Sequence, residues 1–129
     1  MGAQQLLMVV VGMVIVGVAI VVAVTLFQAQ AIESSRNALI SDLNFYAGRA
    51  REYYWKPLNL GGGNHDFSGV TIRTLASSSE NDNGRYYIES ADRDQVILVG
   101  VGRVVVSEGD TISVRMRVNE RTNIIEIIH

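Results

Sequence analysis

The chain contains no cysteine, a single proline and no charged side chain before Glu33. Without cysteine it cannot form a disulfide framework or a zinc site built from thiolates. A net charge of −2 gives no general attraction to phosphate backbones, so we expect no nucleic-acid partner. A length of 129 residues also argues against a two-domain enzyme. The charge-free N-terminal segment is therefore the feature that needs an explanation.

A long hydrophobic segment covers residues 6–27, where only Gly12, Gly17 and Thr25 interrupt the apolar side chains. As an α-helix that rises about 1.5 Å per residue, it would span about 33 Å, slightly more than the ~30 Å hydrocarbon core of a bilayer. Apolar residues occupy every face of this helix, so no side of it suits water. The segment must lie in apolar surroundings.

Three surroundings meet this requirement. The first is the secretion machinery, and Ala29-Gln30-Ala31 matches the cleavage pattern of a signal peptide; however, no Lys or Arg precedes the run, which exceeds the usual length of about 7 to 15 residues. The second is lipid, which would make the protein a single-pass membrane anchor. The third is other copies of the same segment, which would make it the dry core of a filament. Gly12 and Gly17 would permit close approach of neighbouring helices.

The helix is predicted to continue well beyond the apolar segment, because neither proline nor glycine occurs between Phe27 and Gly48. Apolar and aromatic side chains then recur at helical spacing, with charged residues between them. Lys56 and Pro57 predict its end, because lysine complements the helix dipole and proline cannot continue the hydrogen-bond ladder. We expect one helix of about 55 residues. The residues expected to pack its second half on a sheet are Ile32, Leu39, Leu43, Tyr46, Ala50 and Tyr53.

Residues 57–129 have the pattern of a small β-domain, in which turn signals separate short runs of strand-forming residues. Connections this short join strands in antiparallel fashion, so we expect a meander of four or five strands. The predicted strands cover residues 70–75, 85–90, 95–101 with a continuation through 104–106, 111–118 and 123–128. The alternation in residues 111–118 predicts one buried face. That face consists of Ile112, Val114, Met116 and Val118.

Two strands do not alternate. Residues 96–99 are apolar on both faces, and so is the end of the chain with Ile124, Ile125, Ile127 and Ile128. Exposed apolar edges of this kind mark an interface or invite aggregation. We expect one face of the sheet to pack on the helix and part of the remaining apolar surface to contact neighbouring subunits. The alternative is that both strands are central in the sheet.

These patterns predict an α+β protein in which one long N-terminal helix packs through its C-terminal half against a small antiparallel sheet. The predicted division is a helical region, residues 1–56, and a β-domain, residues 57–129. Within the helical region, residues 1–27 form an apolar stem and residues 28–56 an amphipathic half. A β-domain of about 73 residues has a marginal core, which is why we expect it to lean on the helix.

No pattern indicates catalysis, a cofactor or a metal site. The two histidines are His65 and His129, and His65 lies in a polar loop with no second ligand near it in sequence. Residues 80–84 superficially resemble a calcium loop but lack the acids expected at its first and last ligand positions, so a hairpin loop is the better interpretation. The serines at 77–79 have no paired base. We therefore expect a protein that is not an enzyme.

The start of the chain resembles the N-terminus of type IV pilins and the related pseudopilins: Gln5-Leu6-Leu7-Met8 is followed by the apolar residues 9–24 and an amphipathic continuation. The resemblance covers residues 1–54. It implies a structural subunit that is inserted in the inner membrane before a type IV pilus-like machinery assembles it. Its main partner would be itself, in an extracellular helical filament (a fimbrium) at the cell surface. The alternatives are a pseudopilin of a secretion system and a membrane-anchored β-domain that binds another partner.

Gln5 stands where this family usually carries a glutamate. A buried carboxylate must be paired with a charge, whereas an amide needs only hydrogen-bond partners. Gln4 and Gln5 would bond to neighbouring copies or to a neighbour's terminal amine, or would simply lie at the membrane interface. The residues expected to form the filament core are Gln4, Gln5, Leu6, Val9, Met13, Val16, Ile20, Val24 and Phe27.

Overall fold

A computed structural model describes residues 2–76, 78–107 and 109–128, so predictions that involve Met1, Ser77, Glu108 and His129 lie outside the described residues. The chain divides into two compact units, Met1–Glu33 and Ser34–His129. Helix α1, Gly2–Trp55, contributes to both units. The first unit is helical throughout its described residues, and the second contains the rest of α1 together with all the strands.

Helix α1 is 54 residues long and ends where the lysine and proline signals predict. The loop that follows satisfies the open carbonyl groups of its last turn. The amide nitrogens of Gly63 and His65 donate to the carbonyl oxygens of Tyr53 and Tyr54, at 2.8 and 2.7 Å. A short 3₁₀ helix, Leu58–Leu60, opens this loop. The glycine-rich loop after Trp55, which the turn signals predicted, therefore caps the end of the helix.

A short second helix replaces the first predicted strand, so the prediction of a strand over residues 70–75 was wrong. Helix α2 covers Ile72–Leu75. It starts at Thr71, whose hydroxyl oxygen accepts a hydrogen bond from the amide nitrogen of Thr74 at 3.3 Å. The run of β-branched residues favoured a strand, but this N-cap stabilises a helical turn instead.

Four antiparallel strands form a single sheet in the order β1-β2-β3-β4, which confirms the predicted meander. Each strand therefore pairs with its neighbours in sequence. The central strand β2 continues through residues 104–106, as expected. The strands are β1, Gly84–Ala91; β2, Gln95–Ser107; β3, Asp110–Asn119; and β4, Asn123–Ile127.

One face of the sheet packs against the part of α1 that belongs to the second unit, which confirms the α+β prediction. Two glycines of β2 lack a side chain and so leave room for leucine side chains of the helix. A Cβ atom at Gly100 would lie 3.5 Å from Leu43 Cδ1, and one at Gly102 would lie 3.2 Å from Leu39 Cδ1. The predicted alternation of β3 is confirmed, because its four apolar side chains on this face are fully buried. They are Ile112, Val114, Met116 and Val118.

The other face carries charged pairs over a thin apolar layer. Arg115 binds Glu89 of β1 at 2.8 Å and Glu126 of β4 at 3.6 Å. Beneath it, Val99 of β2 is opposite Arg115 in the register and is buried. Strand β2 is central, whereas β4 is an edge strand. The alternative that both non-alternating strands are central was therefore right for β2 and wrong for β4.

Candidate assembly surfaces

The first unit exposes its apolar side chains on every face of the helix. From Leu6 to Phe27 the exposed fraction of the large apolar residues runs from 47 % at Val11 to 75 % at Met8. The helix is long and apolar enough to cross a membrane, and its most apolar stretch is not buried against any other described part of the chain. Surface of this kind needs apolar surroundings, as the sequence predicted.

The one polar side chain within residues 6–27 satisfies itself. The hydroxyl of Thr25 donates to the carbonyl oxygen of Val21, one turn earlier, at 2.9 Å. A hydroxyl bonded in this way costs little in an apolar environment. Gln4 and Gln5 are exposed at the start of the helix, where their amides are available to partners. Within residues 2–27, the polar side chains that still need partners are therefore those of the first turn.

From Leu6 to Phe27 the predicted filament-core residues follow one another at spacings of three and four, so these seven lie on one side of the helix. Gly12 and Gly17 indent this side, and nothing lies within 4 Å of either position. The resulting shallow groove brings four of the predicted residues together with the two glycines; it is lined by Val9, Gly12, Met13, Val16, Gly17 and Ile20. Leu6, Val24 and Phe27 extend the same side beyond the groove and are exposed.

In the second unit, most of the residues predicted to pack the helix on the sheet are buried: Leu39, Leu43, Tyr46 and Ala50. Ile32 belongs to the first unit. Tyr53 is half-buried against the loop, since Cβ atoms at Gly63 and Gly69 would lie 2.7 and 2.9 Å from its ring and hydroxyl. Tyr54 is the buried aromatic residue of α1 that the predicted set did not include. Its position four residues after Ala50 was the available signal.

Tyr54 centres an aromatic cluster at the end of α1. Its ring stacks on the Phe67 ring with 4.5 Å between the ring centroids, and the His65 ring packs edge to face against it with 5.4 Å between centroids. Its hydroxyl donates to Glu120 at 3.2 Å, which ties the helix end to the turn between β3 and β4. His65 also contacts Trp55, at 4.8 Å between ring centroids. Among the described residues, no group of three His, Asp or Glu side chains is placed to hold a metal ion.

Asp42 of α1 anchors the loop that leads into β1. Its Oδ2 accepts hydrogen bonds from the side-chain amides of Asn83 at 2.9 Å and Asn81 at 3.0 Å, and from the Tyr86 hydroxyl. Burial alone would raise the pKa of Asp42, but the hydrogen bonds from these three residues outweigh it and hold the pKa below the ordinary value of 3.8. Residues 80–84, which superficially resemble a calcium loop, thus direct two amides onto a helix carboxylate.

The C-terminal strand is the second exposed apolar surface. Ile124, Ile125 and Ile127 of β4 are exposed by 53, 43 and 55 %. By the register with β3, Ile125 and Ile127 share the helix side of the sheet with Met116 and Val114. The helix nevertheless leaves them uncovered.

Comparison with known proteins adds no relative to this picture. No protein-family model matches the chain, and neither a curated protein nor a solved structure matches it significantly.

Proposed function

We propose that the protein is a pilin-like structural subunit whose apolar N-terminal helix packs against copies of itself in the core of an extracellular filament. Before assembly the same helix lies in the inner membrane, from which an assembly machinery of the type IV pilus kind extracts it. The observation that carries the proposal is the complete exposure of the apolar part of α1 in a chain whose second unit has a buried core. We propose neither an enzymatic activity nor a cofactor.

The free energy of burial explains why the helix cannot stay in water. Enclosing it removes on the order of 1,500 Å² of apolar surface, which is worth tens of kcal/mol at about 25 cal/mol per Å². Lipid and sister helices both supply that burial, so transfer from one to the other gains little from hydrophobicity. Close packing must then decide between the two. The groove at Gly12 and Gly17 is the place where neighbouring helices would approach most closely.

A substitution that preserves membrane insertion but spoils packing tests the proposal. We expect Gly12→Leu to leave the chain inserted in membranes, since leucine is more apolar than glycine. Its side chain would fill the groove and hold neighbouring helices apart. Electron microscopy of material sheared from cells should therefore show filaments for the wild type and few or none for Gly12→Leu, with equal amounts of both chains in the membrane fraction.

Ile15→Leu is the matched control, because it conserves volume and hydropathy in the same turn region and should leave filaments intact. Normal filaments from Gly12→Leu would contradict the role of the groove. A wild-type chain that remains a detergent-soluble monomer, with lipid around residues 9–24 and no fibre under any expression level, would contradict the filament and favour a single-pass anchor. Abundance in sheared material also separates a filament subunit from a pseudopilin that forms short, transient fibres.

A further inference from the structure

The two edges of the sheet differ in their openness. Along β1, the amide nitrogen of Tyr86 donates to the carbonyl oxygen of Ser79 at 2.8 Å, and Asn81 donates to Gly84 at 3.0 Å. The preceding loop thus occupies the first part of this edge. A register shift between Ile88 and Ser90 bends the remainder. Little of the β1 edge is left to receive another strand.

The β4 edge is open. The amide nitrogen of Ile128 donates to the carbonyl oxygen of Ser113 at 3.0 Å, and Ile127 is opposite Val114 in the register. The alternation of an antiparallel ladder then directs the backbone groups of Ile124 and Glu126 toward β3. Those of Asn123, Ile125 and Ile127 point away from the sheet, and no described residue pairs with them.

The side chains of β4 do not protect this edge. Natural sheets guard open edges with lysine, proline, bulges or a covering segment. Residues Asn123–Ile127 contain no lysine, proline or glycine and no register shift with β3. The one charge is Glu126, which is already bound to Arg115 at 3.6 Å. An open, regular strand rich in isoleucine is thus the part of the second unit best suited to accept a further strand.

We propose that β4 pairs with β4 of a second copy, antiparallel and about a two-fold axis at Ile125. The partner strand must have an open edge and apolar side chains on both faces, and among the described strands β4 itself meets both conditions. In this register Ile125 lies opposite Ile125 of the second copy, and Ile124 lies opposite Glu126 of the second copy. Centring the pair one residue later would oppose the two Glu126 carboxylates, which is unfavourable.

The symmetry of this pair determines what it joins. Subunits within one polar filament are related by a screw operation, whereas a two-fold strand pair is isologous, so it cannot link successive subunits of the same filament. Resting on the proposed function, the pair therefore joins two filaments side by side. The β4 edge is a bundling surface.

The size of the contact fits this role. The exposed isoleucines offer on the order of 350 Å² per copy, well below the roughly 800 Å² per partner of a stable interface. A single pair would dissociate readily. Many pairs along two aligned filaments act together, because each raises the effective concentration for the next. Bundles should therefore be stable where isolated dimers are not.

The test introduces the same charge at the two edges. Ile125→Lys places two like charges opposite each other at the centre of the pair, whereas Ser90→Lys places one on the β1 edge. We expect wild-type and Ser90→Lys filaments to form bundles in electron micrographs. Ile125→Lys filaments should be single, with unchanged diameter and amount. Bundles of Ile125→Lys equal to wild type, equal dispersal by Ser90→Lys, or wild-type filaments that stay single would each overturn the proposal.

Cysteine cross-linking provides a second measurement and separates this proposal from the filament itself. The chain has no cysteine, so Ile125→Cys introduces a unique thiol. A short thiol-reactive linker should yield dimers from Ile125→Cys and none from Ser90→Cys, in filaments or in densely loaded lipid vesicles. If no filaments form but these dimers appear in vesicles, the pairing stands and the filament fails. Absence of the Ile125→Cys dimer in both settings overturns the pairing.

Discussion

At the scale of single residues, Asp42 shows how one carboxylate fixes a loop. Three donors from the loop and from β1 converge on one of its oxygen atoms, and the neighbouring Tyr46 hydroxyl donates to the carbonyl oxygen of Ser78 at 3.2 Å. Because the charged form accepts these bonds, folding favours ionisation of Asp42. The loop therefore depends on the protonation state of a residue on the helix.

We predict that Asp42→Ala lowers the free energy of unfolding of the second unit by about 1–3 kcal/mol, since it leaves the partly buried Tyr86 hydroxyl and two amides without their acceptor. The measurement is thermal or denaturant unfolding of the full chain in detergent micelles, followed by Trp55 fluorescence. Asp92→Ala is the matched control, because it removes a carboxylate from a turn and no described residue forms a hydrogen bond with the Asp92 side chain.

The same carboxylate predicts a pH dependence. The folded-state pKa of Asp42 lies below 3.8, so its stabilising contribution is complete above the unfolded-state value and is lost as the pH falls through the folded-state value. Wild-type stability should decline below about pH 4. Asp42→Ala should show a shallower decline over that window. Parallel pH profiles for the two proteins would contradict the role of this cluster.

The partners of Asp42 could not be predicted from the sequence. Asn81 and Asn83 are separated from Asp42 by about 40 positions, and no periodicity links a loop amide to a helix carboxylate across that distance. Tyr54 is different, because its helical spacing from Ala50 and Tyr46 was visible. Thr71 also carried a usable N-cap signal, but the β-branched residues around it favoured a strand more strongly.

At the scale of elements, periodicity was an accurate guide. The helical spacing of apolar residues in the amphipathic half predicted four buried residues of α1, namely Leu39, Leu43, Tyr46 and Ala50, and the alternation in β3 predicted its buried face. Turn signals placed β1, β2 and β4 to within a residue or two. What periodicity could not predict is the fit between elements. The sequence analysis assigned no role to Gly100 or Gly102, yet leucine side chains of the helix lie 3.5 and 3.2 Å from where their Cβ atoms would be.

We predict opposite effects for two Gly→Ala substitutions in these elements. Gly100→Ala should destabilise the second unit by about 1–3 kcal/mol, because its Cβ would lie 3.0 Å from the buried Tyr86 ring. Gly48→Ala should stabilise it by about 0.5–1 kcal/mol, because Gly48 is exposed in α1 and nothing lies within 4 Å of an added Cβ. Unfolding midpoints of the two variants provide the measurement. If Gly100→Ala leaves the free energy of unfolding unchanged, the neighbouring side chains can shift to accept the added methyl group, which would contradict the prediction.

At the scale of the whole molecule, the two units make different demands on their surroundings. Residues 2–31 expose their apolar side chains throughout, whereas the second unit buries a core of its own. The sequence revealed this contrast through its charge distribution. The arrangement of copies in a filament is a property of many chains and remains a proposal.

We predict that a chain beginning at Ser34 stays in aqueous buffer without detergent and keeps the near-ultraviolet circular dichroism of its aromatic cluster, whereas the full chain sediments. A chain beginning at Gly48 is the matched control. It lacks Leu39, Leu43 and Tyr46, so it should lose the aromatic signal as well. Precipitation of the Ser34 chain, or a folded Gly48 chain, would contradict the assignment of the core.

The packing of two helix leucines against two strand glycines has a mechanical consequence: Leu39 lies on Gly102, and Leu43 on Gly100. Each leucine sits in a notch in the central strand, and the two notches match the spacing of one helical turn. If the helix slid along the sheet, both leucines would leave the glycine positions together and clash with the neighbouring side chains of the strand. When tension acts along α1 in a fibre, these two contacts would therefore oppose sliding and hold the sheet at one position on the helix.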